Sequence, residues 1–251
     1  MSLVDDFYLK INQLIKEFIE KEGNNIKKAA KLMAESIKDD ELIHVFGTGG
    51  HSYMAAEEMF YRAGGLVPIN PIFDGGVTVA NGAIRSTNIE RTPGYAKAIL
   101  EPLRLEEDGK IIIISNVYGI NSLTIESALE AKKRGMIVIA ITSVEHSKNL
   151  PEDAPSRHLS KKNLYEIADI VLDVPVPIGD AIVDIEGLDV KVAPCSTILV
   201  SFCLNALVAE TVQILIEMGI DPPVWKSANS PGGDKYIKKY IDKYRKRIKH
   251  L

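Results

Sequence analysis

Cysteine is scarce: the 251 residues hold two, Cys195 and Cys203. No C-x-x-C or H-x-x-x-H spacing accompanies them, which excludes a disulfide framework and a zinc site of that kind, and both read as small buried hydrophobes in an apolar segment. An excess of charge of one sign is also missing. Thirty Lys+Arg stand against thirty-four Asp+Glu, a formal charge of -4, so nothing draws the whole molecule toward nucleic acid or an anionic membrane. The one basic cluster, K-K-Y-I-D-K-Y-R-K-R-I-K-H near the C-terminus, is local. The start of the chain has no basic region followed by an apolar core, as a secretory leader would. No long apolar run is unbroken either: Ile198 to Ile216 is interrupted by Ser201, Asn205, Glu210, Thr211 and Gln213, which a bilayer span tolerates poorly. The expectation is a cytoplasmic protein with neither a membrane nor a nucleic-acid partner.

What is present is an ordinary globular balance, 46% hydrophobic and 25% charged residues, and that excludes a disordered or fibrous chain. The length suits one large α/β domain with helical additions and is too short for two enzymes. Apolar residues at three- and four-residue spacing (Phe7, Ile11, Leu14, Ile15, Phe18, then Ile26, Ala29, Ala30, Met33, Ile37) predict two amphipathic helices separated at Gly23-Asn24-Asn25. A strand from Leu42 to Gly47, a helix to about Ala63 and a strand from Leu66 to Ile72 follow. The alternation then repeats: Ile111 to Ile114 is a strand without polar alternation, Ser122 to Arg134 a helix stopped by Gly135, and Ile137 to Thr142 and Ile170 to Val174 two more strands. Continuous apolar strands alternating with helices predict a parallel sheet covered on both faces. Ligands of such sheets lie beyond the carboxyl ends of the strands, where the strand order reverses. The segments Asp74–Gly94 and Ser143–Lys162 read as long loops, and long loops in compact folds are commonly functional.

Three segments carry ligand-binding chemistry. Gly47-Thr48-Gly49-Gly50-His51-Ser52 follows the first strand and opens a helix, where backbone N–H groups and a helix dipole favour an anion; Tyr53 breaks the dinucleotide fingerprint, and a tight turn without a ligand fits equally. Ser115-Asn116-Val117-Tyr118-Gly119-Ile120-Asn121-Ser122-Leu123-Thr124 clusters hydroxyls and amides just before the next helix. Capping accounts for Asn121 or Ser122 but leaves Ser115 and Asn116 unexplained. Cys195-Ser196-Thr197 opens the apolar helix, on which Thr197, Ser201 and Asn205 fall in one stripe. Ser and Thr there can bond the helix's own carbonyls, whereas the Asn205 amide needs further partners.

These segments, in this order and spacing, resemble the sugar isomerase (SIS) domain family over roughly Leu42 to Gly219. The runs S-R-H-L-S-K-K-N-L-Y-E-I-A-D, P-x-G-D-A and P-P-V-W-K-S-A-N-S-P-G-G-D further resemble the UPF0309 subgroup, some of whose members carry the label phosphoheptose isomerase. The resemblance implies a flavodoxin-like three-layer sandwich with a five-stranded parallel sheet. Residues 41–220 would form the phosphosugar-binding domain, with N-terminal helices (1–40) and a C-terminal extension (221–251) in one structural unit. It implies that Ser52 meets sugar or phosphate oxygens, that Ser115, Asn121 and Ser122 cradle a phosphate, and that Thr197 completes the pocket. Gly49, His51, Asn116, Gly119, Asp180, Ser196, Asn205 and Asn229 join these as candidate binding residues. The family cradle is S-x-S-G-x-[NT]; here it is one residue longer and lacks the second serine, with Tyr118 as a substitute donor.

Aldose–ketose isomerisation needs a base beside the carbonyl and a donor for the oxygens. The acid–base groups that the resemblance would carry over are absent: Phe60 or Tyr61 stands where the glutamate belongs, and Leu204-Asn205 where the histidine does. Glu58 and Arg62, four apart, read as a surface pair. Glu90, His146 and His158, all in the expected loops, are the substitute candidates, although a lone histidine in a polar loop is more often simply solvated. His44, inside a strand, reads as structural. The first reading is a sugar-phosphate isomerase working through an enediol. A lyase or hydrolase of a substituted sugar phosphate, a non-catalytic sugar-phosphate sensor and a purely structural oligomer are the alternatives. Nothing in the chain calls for a metal or another cofactor. The apolar faces of the long helix and of the N-terminal pair predict a homodimer or larger.

Overall fold

A computed structural model describes residues 2–251. Its helices are α1 (Leu3–Lys38), α2 (Met54–Met59), α3 (Ala83–Glu90), α4 (Tyr95–Leu100), α5 (Ser122–Lys133), α6 (Val144–Asn149), α7 (Leu164–Ile167), α8 (Ser196–Glu217) and α9 (Gly233–Tyr244). The strands are β1 (Ile43–Gly47), β2 (Ile69–Pro71), β3 (Ile111–Ser115), β4 (Ile137–Thr142), β5 (Ile170–Asp173), β6 (Ala181–Val183) and β7 (Val192–Pro194). Five strands form one parallel sheet in the order β2-β1-β3-β4-β5, as the resemblance implied, and β6 and β7 form a separate antiparallel hairpin.

The strands bear side chains alternately to two apolar faces. Ile43, Val45, Ile111, Ile113, Ile139 and Ile141 face a core shared with α1, α2 and α8. Phe46, Ile112, Ile114, Val138 and Ala140 face the core formed with α4, α5 and α7. Both faces being dry explains why the strands read as unbroken apolar runs. A third cluster joins Leu42 and Val67, ahead of β1 and β2, to Trp225 and to Ile237, Tyr240 and Tyr244 of α9, so the C-terminal extension is bound to the same body.

The expected pair of N-terminal helices is one uninterrupted helix of 36 residues, begun by a reciprocal Ser2–Asp5 capping box. Gly23 costs about 1 kcal/mol relative to alanine in a helix interior. The buried stripe of Phe18, Ile26, Ala29, Ala30, Met33 and Ile37 continues through it against α8 and outweighs that cost. The helix expected to reach Ala63 ends at Met59, because Phe60 is extended and Tyr61 takes a left-handed φ of 51°. The two segments read as long loops contain helices α3 and α6. Amphipathic patterns of six to eight residues are too short to separate from loop composition.

Candidate functional site

The sheet order reverses between β1 and β3, and the chain segments leaving these two strands build the site. Gly47 ends β1 where any Cβ would collide with the backbone carbonyl of Ser52, so the turn folds tightly over the strand end. Thr48, fully buried, donates its N–H to the Ser115 carbonyl at 3.1 Å and shares a 2.7 Å hydrogen bond with the Thr124 hydroxyl. The Asn116 amide donates to the Thr48 carbonyl (3.0 Å), and its Oδ1 accepts the Gly119 N–H (2.9 Å). Gly119 has φ 60°, and a Cβ there would lie 2.6 Å from Thr142 Oγ1, so the bend requires glycine. Asn121 caps α5 by accepting the Thr124 N–H at 2.8 Å. Asn116 and Asn121 are therefore largely engaged in building the two segments. The sequence places Thr48 and Thr124 within the two candidate segments but assigns neither a role of its own; Thr124, three residues past an N-cap asparagine, carries the one available signal.

Between the turn, the β3–α5 segment and the start of α8 lies a cleft of about 170 Å³. Its polar wall is His51, Ser52, Asp180, Ser196 and Thr197; Met54, Val117, Tyr118 and Val200 form the apolar part. Larger hollows exist, about 330 Å³ beside β2 and about 610 Å³ between α1 and α8. Neither has the glycine turn or the β3–α5 segment in its wall, so the cleft is the better site despite its size. Ser115 is 1% exposed, and its hydroxyl has no hydrogen-bond partner among the described residues. An unpaired buried hydroxyl at a strand's carboxyl end is uncommon and suits a ligand or water.

The candidate acid–base groups separate clearly. Glu90, the last residue of α3, reaches between both segments: Oε1 accepts the Gly50 N–H at 2.8 Å and Oε2 accepts from the Asn121 amide at 3.1 Å. Burial pushes its carboxyl above the usual range, and these hydrogen bonds oppose that rise only partly. His146 is not in an open loop: it is 2% exposed on α6, its ring edge-on to Tyr118 at 4.3 Å, and its Nδ1 is unpartnered among the described residues. Burial lowers its pKa even though the Asp180 charge works the other way. His158 Nδ1 pairs with the Ser160 hydroxyl at 2.8 Å, and Nε2 lies 3.6 Å from Glu126. None of the three lines the cleft wall itself. Glu90 is joined to the site through the Gly50 N–H and the Asn121 amide.

Asp180 stands at a left-handed φ of 65° and spans the start of α8. Its Oδ1 accepts the N–H groups of Cys195 (3.1 Å) and Ser196 (2.7 Å), and Oδ2 accepts the Ser196 hydroxyl (2.6 Å). Burial and the same carboxylate push the Cys195 thiol up to about 12, so this cysteine is an inert, buried group. Asn205 is exposed and outside the cleft; its amide donates to Glu58 at 2.8 Å, and Glu58 also pairs with Arg62. Asn229 is exposed in the segment after Trp225 and does not reach the cleft of its own chain. His44 is buried in β1, held by the Asn70 amide at Nδ1, with its pKa lowered to about 4 by burial.

A doubly covered parallel sheet with this pair of segments at its switch point is the architecture of SIS domains, and residues 6–143 match the family model of that name. The chain belongs to the SIS-domain family. Within it, the chain is 40% identical over 248 residues to a UPF0309 protein of Geobacillus thermodenitrificans, covering 98% of this chain and 96% of that one. It is 41% identical over 255 residues to a UPF0309 protein of Thermoanaerobacter pseudethanolicus, covering 100% and 99%. The UPF0309 resemblance read from the sequence is thereby borne out. Among solved structures, phosphoheptose isomerases of Neisseria gonorrhoeae (TM-score 0.51, 18% identity, 85% of this chain and 97% of that one) and Francisella tularensis (0.50, 15%, 85% and 96%) share the fold.

Proposed function

We propose that this protein binds a sugar phosphate in the cleft and interconverts its aldose and ketose forms through an enediol, with Glu90 as the proton carrier. The reading is supported by the polar wall of the cleft, with Ser52 of the glycine turn facing Ser196 and Thr197 at the start of α8, and by the buried, unpartnered Ser115 hydroxyl at the carboxyl end of β3, behind the cleft lining. In the reaction, a base takes the proton from the carbon beside the carbonyl while the carbonyl oxygen gains one, and reversal onto the neighbouring carbon gives the isomer. Of the three acid–base candidates, Glu90 alone bonds through its carboxylate to both ligand-binding segments, and its raised pKa suits a proton carrier.

The test is thermal unfolding with sugar phosphates, each paired with its unphosphorylated sugar. A ligand at 100 times its Kd stabilises the fold by about 2.7 kcal/mol, a rise of roughly 5–10 °C for a chain of this length. The shift requires the phosphate and disappears in Ser115→Ala. Turnover then shows as solvent deuterium entering the carbon beside the carbonyl, lost in Glu90→Gln. A sugar-phosphate sensor without chemistry is the second reading, favoured by the position of all three acid–base candidates outside the cleft lining; binding without deuterium exchange selects it.

We also place the protein in the cytoplasm as a homodimer or larger. Among the described residues, α8 is long and apolar enough to cross a membrane, but one side of it is buried against α1. The groove these helices leave open is lined by Ile19, Ile26, Phe202 and Ala206, and Ile216 nearby is 56% exposed. Apolar surface of that kind supports association, and a monomer by light scattering at micromolar concentration would remove this part of the reading.

A further inference from the structure

We propose that the hollow of about 330 Å³ beside β2 is a second ligand site, separate from the cleft, for a small carboxylic acid with an apolar body: the carboxylate lies toward Lys249 and the Asn70 amide, the body against Pro102 and Leu103. This site is independent of what the cleft binds. β2 is the edge strand of the sheet, and the hollow is enclosed there by β2, by α4 with the turns that follow it, and by the end of the C-terminal extension. Small-molecule sites usually measure about 300–1,000 Å³, and an apolar cavity of about 150 Å³ already holds benzene. A ring and a charged group fit.

The floor is a polar pair in an otherwise dry pair of strands. His44 and Asn70 are in-register partners on β1 and β2, and the amide donates to His44 Nδ1 at 2.9 Å. An imidazole that accepts at Nδ1 carries its proton on Nε2, and that buried donor has no partner among the described residues. Such a pair at a sheet edge suits a site that takes up a polar occupant. Nε2 itself is covered, so Asn70, with one amide hydrogen and its oxygen to spare, is the floor group that meets the ligand.

Four aspartate, arginine and lysine side chains stand in the wall. Asp108 receives Arg247 Nε at 2.8 Å, and Asp74 receives the Gly76 N–H at 2.7 Å and the Tyr95 hydroxyl at 2.9 Å. Lys249 alone has neither an ion pair nor a hydrogen bond among the described residues, which leaves a free cation for an incoming anion. Burial and the Lys249 charge both lower the pKa of His250, whose ring sits edge-on to Phe73 at 5.0 Å. Phe73 in turn stacks on Tyr53 at 5.3 Å, and Tyr53 follows Ser52 of the cleft wall. Filling the hollow is therefore felt at the glycine turn.

Benzoate and benzamide, alike in shape and different in charge, test the site by titration of the whole chain at neutral pH. The readouts are the side-chain amide resonances of Asn70 and the backbone amides of Phe73 and Tyr53. Benzoate should shift them all and bind about fivefold more tightly than benzamide, the upper worth of an exposed ion pair. Lys249→Gln, a change at an exposed position, should bring the two probes to equal affinity. Ala98 is exposed on α4 and lines the hollow, so Ala98→Trp should fill the space and abolish binding of both. Equal affinity of the probes for the wild type, shifts confined to Ser196 and Thr197 of the cleft, or no shift with benzoate overturns the proposal. Because no sugar phosphate is present, none of these results bears on the reading of the cleft.

Discussion

Asn205 on α8 donates its amide to the Glu58 carboxylate on α2 at 2.8 Å, joining residues 147 positions apart. The asparagine also holds the Ser201 carbonyl at 2.9 Å, and the carboxylate also receives Arg62 at 3.2 Å. The polar stripe seen on α8 thus ends in a tie between helices instead of in the cleft. Asn205→Ala should lower stability by about 0.5–1.5 kcal/mol, the usual net worth of such a bond, and leave ligand affinity unchanged. Denaturant unfolding and the ligand-induced thermal shift check the two halves, and a double-mutant cycle with Glu58→Ala isolates the pair.

Ser115→Ala should act in opposite directions on stability and binding. Without ligand the variant removes a buried hydroxyl that has no partner, so its unfolding free energy should equal or exceed that of the wild type. With a sugar phosphate present the stabilisation should vanish. A loss of unliganded stability above about 1 kcal/mol would mean that the hydroxyl is already satisfied.

The raised pKa of Glu90 has a sign in stability. Folding favours its protonated form, so the folded chain holds more protons than the unfolded one between the unfolded value, 4.5, and the raised folded value. Stability from this residue is therefore greatest below pH 4.5 and falls as the pH rises through that window. Glu90→Gln removes the dependence, so the stability of the variant relative to wild type should climb as pH increases from 4.5 and then level off. Urea midpoints of both proteins across pH 4–7 measure it, and parallel curves would count against the burial argument.

Asp180 caps α8 from a distance, so Asp180→Ala should cost about 1–2 kcal/mol from the lost cap and about 1 kcal/mol more because alanine tolerates the left-handed backbone poorly. Asp180→Gly relieves the second cost and should be the milder change by thermal unfolding. If the two are equally damaging, the backbone conformation is not contributing.

The layered sheet was legible because Ile111–Ile114 and Ile137–Thr142 are strands buried on both faces, and short apolar runs punctuated by glycine and polar turns fit little besides interior strands. The glycine turn and the Ser115–Ser122 segment stand out as a candidate site for a related reason: polar and glycine-rich sequence directly follows those strands. Internal allegiance was not legible. Capping by Asn121 was readable, but nothing in the order of residues says that Asn116 holds the Thr48 and Gly119 backbone, or that Asp180 reaches across a hairpin to α8. His146 reads as a polar-loop residue because its burial under Tyr118 depends on a contact between segments 28 positions apart. The unbroken α1 was missed for a similar reason, since the α8 surface that stabilises it lies far along the chain.

That last separation has a consequence for how the chain is made. Phe18 and Met33 of α1 meet Phe202 and Thr211 of α8, and the Thr211–Met33 contact closes a span of 178 residues. A ribosome adding about 5–20 residues per second takes roughly 10–40 s to cross such a gap. The sheet strands β1 and β5 can cover part of the apolar stripe of α1 as they emerge, but throughout that interval the part that meets α8 stays uncovered, so the first element synthesised is among the last to be fully enclosed. Protection during translation, by a chaperone or by a neighbouring nascent chain, is a demand that this architecture makes before any ligand is met.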